Sequence, residues 1–229
     1  MAATTFEIPS TMRSWAVTQN GPPTTSLALD TSTPVPTPQS SNVLVRVSHA
    51  ALNPADLEHM KKIPTLLPFR RRPTPALDFC GTIVALGSSV KASYPKLDVG
   101  STVCGAIPAT RVAVGAGTLA EYVSVPADAV ALKPDSLSAA ASAGLGIAGQ
   151  TAAIVMHEAG VEPGKRVLIN GASGGVGTML CQIVTARGGV VTAVCSDSNA
   201  ALVKRLGANE VGIRDPTFSS KRLVTLVTR

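Results

Sequence analysis

The chain has 229 residues and a formal net charge of +6, with 45% hydrophobic and 15% charged residues. These proportions indicate a folded protein with a sizeable apolar core and exclude an intrinsically disordered chain. We expect no nucleic-acid surface, because only 3% of the residues are aromatic and a single run, FRRRP (69–73), is densely basic. We expect no membrane span, because no stretch reaches the roughly 20 apolar residues of a bilayer crossing.

Residues 1–17 and the cysteines bear on location and metal binding. The N-terminal segment lacks the pattern of a secretory signal, so we expect a cytoplasmic protein; a mitochondrial location is the alternative, because Arg13 lies among Ser and Thr. The cysteines are not spaced as zinc ligands. They are Cys80, Cys104, Cys181 and Cys195. We expect four reduced, buried thiols and no bound metal.

The N-terminal part has the pattern of a β-rich domain. Residues 20–41 are rich in Pro, Ser and Thr and predict turns and connections. The alternating segment NVLVRVSHAAL (42–52) predicts a strand, and a short helix follows, with Asn53 as its cap and Pro54 in its first turn. Three more segments predict short strands: DFCGTIVALGSSV (78–90), GSTVCGAI (100–107) and LAEYVSVPADAVALKP (119–134). We assign residues 1–132 to a barrel-like β domain.

After Pro134 the pattern becomes helical and then alternates. Residues 136–160 are alanine-rich and predict helix. Two predicted buried strands, KRVLIN (165–170) and GVVTAVCS (189–196), flank a segment with apolar residues at 176, 179, 180, 183 and 184, the spacing of an amphipathic helix. A second helix, 199–207, ends at Gly207. This order predicts a parallel α/β domain, assigned to residues 133–229.

The turn between the first of these strands and its helix reads NGASGGVG (170–177). It follows the G-x-G-x-x-G pattern with Ala172 in the first position, then Gly174 and Gly177. Small residues let the backbone approach a pyrophosphate and let the helix pack on the strand, and the free N–H groups at the helix start favour phosphate. Because the turn joins a strand to an amphipathic helix, it predicts a dinucleotide site.

The end of the second strand bears on which dinucleotide is bound. NAD-binding domains place an acidic residue about 20 residues beyond the turn, where it binds the ribose 2′-OH. Here Ser196 lies near that position, and a serine tolerates the 2′-phosphate that an acid would repel. Asp197 keeps NADH open as the alternative. We expect NADPH.

Taken together, these segments resemble the zinc-free quinone oxidoreductase and enoyl reductase branch of the medium-chain dehydrogenase/reductase superfamily. The resemblance covers residues 13 to about 211 and rests on segments in the family's order, among them NVLVRVSHAALNPADL, PALDFCGTIVALGSSV, TLAEYVSVP and VEPGKRVLINGASGGVG. It implies a GroES-like β domain followed by an α/β Rossmann domain, with a small-molecule substrate bound between them.

The resemblance also implies a chemistry. Zinc enzymes of the superfamily carry a Cys where this chain has Asn53 and a His within LDFCG (77–81), so no catalytic zinc is implied. Hydride would pass from NADPH to a quinone or to the β-carbon of an enone, and a proton would follow from solvent or a hydroxyl. Asn53 and Thr151 are implied near the nicotinamide; their structural alternatives are a helix cap and a backbone-bonded threonine.

The resemblance implies the cofactor contacts as well. Those for the pyrophosphate are Ser173, Gly174, Gly175 and Val176, next to Gly177. Ser196 is implied at the 2′-phosphate, and the next basic residue along the chain is Lys204.

Beyond Val211 the sequence departs from the family pattern and becomes basic and rich in Ser and Thr. A third strand is expected near Glu210, with nothing left for the second half of a doubly wound sheet. We therefore expect an incomplete Rossmann domain, an exposed edge on its first strand, a missing dimer edge, a monomeric or aggregating chain and little turnover. The alternative function is a non-catalytic relative with weak dinucleotide binding. Short-chain dehydrogenases use a Tyr-x-x-x-Lys pair. A member of that family is excluded because the residue four positions after Tyr94 is Asp98 and not a lysine.

Overall fold

The computed structural model describes residues 6–62, 73–108, 110–111, 115–213 and 226–228, without the side chains of residues 59, 62 and 226–228. Residues 69–72 of the basic run thus lie outside the described chain. Contacts between residues divide the chain into two compact units, 1–147 and 148–229.

The first unit is built on antiparallel strands. They are β1 (Thr11–Val17), β2 (Leu27–Pro34), β3 (Asn42–Ala51), β4 (Asp78–Leu86), β5 (Thr102–Ala106), β6 (Tyr122–Pro126) and β7 (Val130–Leu132). The described helices are α1 (Pro23–Ser26), α2 (Pro54–Lys62), α3 (Val90–Ser93) and α4 (Ala139–Ala143). Strands β3–β7 form one sheet in the order β6-β3-β4-β5-β7, and β1 pairs with β2. The prediction of a β-rich domain is confirmed.

One stretch of the first unit differs from the prediction. Residues 20–41 contain α1 and β2, and β2 pairs antiparallel with β1, with Leu29 opposite Trp15. The prediction of turns and connections was therefore wrong for residues 23–34 and correct for residues 35–41, which have no regular secondary structure. No residue of β2 is fully buried, so the strand lacks the alternation of apolar and polar residues that identifies a half-buried strand.

The sheet of the first unit separates two apolar clusters. Phe79, Ile83 and Val103 belong to the main core on one face, while Cys80 and Cys104 pack with Ala143 of α4 in a smaller cluster. Successive side chains of a strand point to opposite faces, which explains the separation. Because α4 packs on β3, β4 and β5, it belongs to the first unit; the predicted boundary after residue 132 stays a prediction.

The second unit is an α/β layer. Its strands are β8 (Arg166–Asn170), β9 (Val190–Cys195), β10 (Glu210–Ile213) and β11 (Leu226–Thr228). Its helices are α5 (Ile147–Glu158), which begins at the last residue of the first unit, α6 (Gly175–Ala186) and α7 (Ala200–Arg205). The sheet order is β10-β9-β8-β11, and β8, β9 and β10 are parallel. The predicted parallel α/β unit and its third strand near Glu210 are confirmed.

The core of the second unit lies against one face of this sheet. Val167 and Ile169 of β8 are fully buried, whereas Leu168 between them remains 36% exposed. Buried residues of α5, α6 and α7 join the same cluster as the inward residues of β8 and β9. The two strands predicted to be buried are therefore buried on one face only within the described chain.

The expected exposed edge on β8 is not observed. Strand β11 pairs antiparallel with β8, with Leu226 opposite Ile169 and Thr228 opposite Val167. The expectation of an unpaired row of N–H and C=O groups is therefore wrong along these residues. No sequence pattern predicts this pairing, because it depends on where the chain returns in space and not on a local motif.

Candidate dinucleotide and reductase site

The glycine turn lies between β8 and α6, as its sequence predicts. Gly171 has φ of +76°, a conformation that favours glycine. The N–H groups of Gly171 and Ala172 both donate to the Val194 carbonyl at 3.0 Å, which ties the turn to β9. A Cβ on Gly177 would lie 2.3 Å from the Gly171 oxygen. Gly177 thus permits the close packing of the helix on the turn.

The start of α6 offers unpaired N–H donors. Gly174 precedes the helix with an extended backbone and provides no side-chain cap. The N–H groups of Gly175, Val176 and Gly177 make no hydrogen bond to any described residue. Gly174 and Gly175 are exposed and have no side chain that would screen these donors. Donors of this kind, at the positive end of a helix dipole, can bind an anionic group.

A cluster of hydroxyl groups joins the turn to the end of β9. The Asn199 side-chain amide donates to Ser196 Oγ at 2.9 Å and to Ser173 Oγ at 3.3 Å. Ser196 Oγ also lies 3.3 Å from Ser198 Oγ. Ser198 and Asn199 follow Ser196 in a 3₁₀ turn and were not predicted from the sequence. The cluster brings the predicted residues Ser173 and Ser196 together through Asn199.

The charged residues near this cluster are exposed. Asp197, next to Ser196, lies at the surface, and Lys204 is exposed in the last turn of α7. Neither forms an ion pair or hydrogen bond with a described side chain. The structure therefore does not bring Lys204 to Ser196, and its predicted cofactor role stays a prediction.

In the first unit, Asn53 lies between two carboxylates. Its backbone N–H donates to Asp56 Oδ2 at 2.7 Å, and its side-chain Nδ2 donates to Asp78 Oδ2 at 2.9 Å. Asp56, in the first turn of α2, therefore binds the backbone before the helix, while the Asn53 side chain reaches β4. The alternative role for Asn53 was that of a helix cap, in which its side chain would bond to the backbone of α2. The described hydrogen bond of the side chain goes instead to Asp78.

Asp78 is almost fully buried, with 1% exposure, at the start of β4. Its Oδ1 accepts a hydrogen bond from the Ile147 N–H at 2.9 Å. Burial raises the pKa of this carboxyl above its ordinary value, and the nearby Asp56 adds to the increase, while the hydrogen bonds from Asn53 and Ile147 oppose it. No sequence motif indicated Asp78, because a lone acid at a strand start carries no spacing signal.

The remaining predicted residues are dispersed. Thr151 lies half-buried in α5, in the second unit, while Asn53 lies in the first; the predicted roles of both stay predictions. His49 and His157 are exposed, and the side chain of His59 is outside the described residues. In the described part of the chain, no three His, Cys, Asp or Glu side chains are grouped to hold a metal ion. None of the described helices has the length and apolar character needed to cross a bilayer.

Sequence comparison finds reductases among the relatives. Residues 39–135 match the alcohol dehydrogenase GroES-like domain. A medium chain reductase of Acremonium sp is 35% identical over 223 residues, covering 88% of this chain and 60% of the relative. A trans-enoyl reductase of Pyricularia oryzae is 33% identical (81% and 53% covered), and a 2-methylene-furan-3-one reductase of Solanum lycopersicum is 35% identical (90% and 53% covered).

Structural comparison gives the same family. The quinone oxidoreductase of Coxiella burnetii superimposes with a TM-score of 0.76 at 30% identity, covering 88% of this chain and 62% of that one. This chain belongs to the medium-chain dehydrogenase/reductase superfamily. A mycobacterial superfamily relative, Rv1454c, has been solved in complex with NADPH; it is 26% identical with a TM-score of 0.72, and 90% of this chain and 60% of that one are covered. The resemblance and the predicted fold class are confirmed.

The chain spans between about half and 60% of the length of the curated relatives described above. The relatives include enoyl reductases and a quinone oxidoreductase, and the likeness identifies the fold of this chain.

Proposed function

We propose that this chain binds NADPH and supports hydride transfer to a quinone or to the carbon–carbon double bond of an enone. The observation that carries the proposal is the set of unpaired N–H groups on Gly175, Val176 and Gly177 at the start of α6. They lie at the carboxyl end of β8, the edge of a parallel sheet where dinucleotides bind. The relatives found by sequence are reductases and the Coxiella burnetii structure is that of a quinone oxidoreductase, which supports the reaction type.

The residues of the second unit fit a dinucleotide. The three N–H donors and the Ser173 hydroxyl would hold the pyrophosphate, where exposed Gly174 and Gly175 allow close approach. When bound, NADPH supplies the hydride. Asn53 would contact the nicotinamide end, and Thr151 would lie close to the cofactor. Because Asn53 stands where zinc enzymes of the superfamily carry a cysteine, we propose that an electron-poor double bond accepts the hydride without a metal.

The preference for NADPH over NADH is supported by the end of β9. Ser196, Ser198 and Asn199 present hydroxyl and amide groups, which can donate to a 2′-phosphate. Asp197 lies at the surface beside them and is the residue that would bind the 2′-OH of NADH instead.

Calorimetry with both cofactors at a fixed salt concentration tests this preference. We expect tighter binding of NADPH, and we expect Ser196→Asp to weaken NADPH binding by at least about tenfold while affecting NADH less, because a carboxylate repels the 2′-phosphate. Ser88→Asp introduces the same charge at an exposed position of the first unit and serves as the matched control. Tighter binding of NADH to the unmodified chain would overturn the preference and favour Asp197 as a ribose ligand.

A turnover assay tests the reaction. NADPH oxidation is followed with a panel of quinones and enones, using this chain and a chimera in which a full-length relative supplies the sequence beyond Val211. NADPH-dependent reduction by both proteins supports the proposed reductase. Cofactor binding with turnover by the chimera alone would support the alternative, a non-catalytic chain with weak dinucleotide binding.

A further inference from the structure

The Asn53 amide makes a single described hydrogen bond, and it is to a carboxylate. Its Nδ2 donates to Asp78 Oδ2 at 2.9 Å, and no other described residue bonds to the side chain. An ionised carboxylate has acceptors and no donor, so only the NH₂ side of the amide can face it. The amide oxygen of Asn53 must therefore point away from Asp78.

Asp78 is itself held in one position. Its second oxygen, Oδ1, accepts the Ile147 N–H at 2.9 Å, and its backbone carbonyl accepts the Thr118 hydroxyl at 2.9 Å. A Cβ at Gly146 would lie 2.3 Å from Oδ1, so only glycine leaves room for the carboxylate there. Each carboxylate oxygen faces an N–H donor, which favours the ionised form. Both oxygens are thus committed in a site that excludes water.

We propose that Asp78 is a positioning residue that fixes the orientation of the Asn53 amide, leaving the Asn53 carbonyl oxygen and its second N–H for the cofactor or substrate. The inference rests on the proposed function, in which Asn53 contacts the nicotinamide end. Asp78 does not itself touch the reacting atoms; it acts through Asn53. The oxygen and the NH₂ group of an amide are similar in shape, and the Asp78 carboxylate distinguishes them because it accepts a hydrogen bond only from the NH₂ group. Without this carboxylate, the Asn53 amide can rotate by 180° and exchange the two ends.

The Asp78→Asn variant tests this role, because it keeps the shape and removes the charge. The side-chain amide of the new residue has an NH₂ group in place of one carboxylate oxygen. This NH₂ group must face either Asn53 Nδ2 or the Ile147 N–H, and because both are donors, one hydrogen bond is lost. We expect kcat for NADPH-dependent reduction to fall by at least about tenfold, as misplaced contacts commonly cause, with a smaller change in the KM for NADPH. Asp135→Asn, at an exposed aspartate, is the matched control and should leave kcat unchanged.

A double-mutant cycle separates positioning from a structural role. If Asp78 acts through Asn53, then Asp78→Asn should lower kcat little further in an Asn53→Ala background. If the two losses multiply, or if Asp78→Asn lowers the melting temperature without changing kcat, the positioning role is overturned.

Nuclear magnetic resonance gives a readout that does not depend on turnover. In ¹⁵N-labelled protein, the Asn53 side-chain amide signals are identified by their loss in Asn53→Ala. We expect Asp78→Asn to shift them, with Asp135→Asn leaving them in place. If the signals shift in a protein that has no reductase activity, the proposed function is refuted, but the claim that Asp78 orients the Asn53 amide is supported. If the signals do not shift, that claim is overturned.

Discussion

At the scale of single residues, the glycines of the turn between β8 and α6 differ in how much room each leaves for a side chain. Gly177 lies against the backbone of the turn, where a Cβ would come within 2.3 Å of the Gly171 oxygen and 2.7 Å of the Ala172 Cα. Gly175, two residues earlier, has room for a Cβ, which would make an ordinary contact with the Ala148 Cβ at 3.8 Å. The same chemical change therefore has opposite consequences at the two positions.

We predict that Gly177→Ala lowers the free energy of unfolding by about 1–3 kcal/mol, the usual cost of overpacking. Gly175→Ala should leave stability unchanged or raise it by about 0.4–1 kcal/mol, because alanine loses less backbone entropy than glycine. Urea denaturation followed by circular dichroism measures both. Equal destabilisation by the two substitutions would show that the backbone contact at Gly177 is not the cause.

The four thiols are a second residue-scale feature. All four are free and buried, as predicted from the sequence: Cys80, Cys104, Cys181 and Cys195. Burial raises the pKa of all four, that of Cys181 to about 11. The thiolate is the reactive form, and little of it is present near neutral pH.

We therefore predict slow alkylation of the native protein by iodoacetamide, with all four thiols reacting rapidly once urea unfolds the chain. Mass spectrometry of digested samples assigns the rates to individual residues, and free cysteine in the same buffer is the reference. Any one thiol of the native protein that reacts as fast as free cysteine would contradict the role given to burial.

At the scale of elements, the second unit protects one edge of its sheet. Strand β11 lies antiparallel beside β8 and pairs with residues Val167–Ile169. A sheet edge with unpaired backbone groups favours association with other chains. The short β11 strand thus supplies partners for β8 although its direction differs from that of the other three strands.

Removing residues 226–229 should therefore promote aggregation. We predict more light scattering and a larger apparent size in gel filtration than for the intact chain, because the β8 edge loses its backbone partners. A chain that lacks Arg229 alone keeps β11 and is the control. If both shortened chains behave like the intact protein, β11 does not protect the edge.

At the scale of the whole molecule, the chain contains a β unit and an α/β unit, and each has its own core. Where zinc enzymes of the superfamily carry a cysteine, the first unit has Asn53, whose amide is engaged by Asp78. An amide that donates to a carboxylate is a poor zinc ligand compared with a thiolate.

We predict that purified protein contains well below one zinc per chain by elemental analysis. NADPH binding should be unchanged after treatment with a chelator and desalting. Near-stoichiometric zinc, or loss of NADPH binding with the metal, would contradict a metal-free site.

Much of the fold was predictable from local patterns. The strand β3, helix α6 and the stop of α7 at Gly207 follow from alternation, helical spacing and a glycine with φ of +104°. Strand β2 was not predictable, since it buries no residue fully and so shows no alternation. The family segments also indicate the superfamily, and the glycine turn predicts a dinucleotide site.

The sequence by itself determined the two kinds of domain, the glycine turn between β8 and α6, and the superfamily, because these depend on short segments whose spacing has a direct physical meaning. Tertiary structure alone decided three features: the Asn53–Asp78 hydrogen bond, the Asn199 link between Ser173 and Ser196, and the pairing of β11 with β8. Each joins residues from separate elements, and such contacts arise only when the fold brings distant strands and turns together.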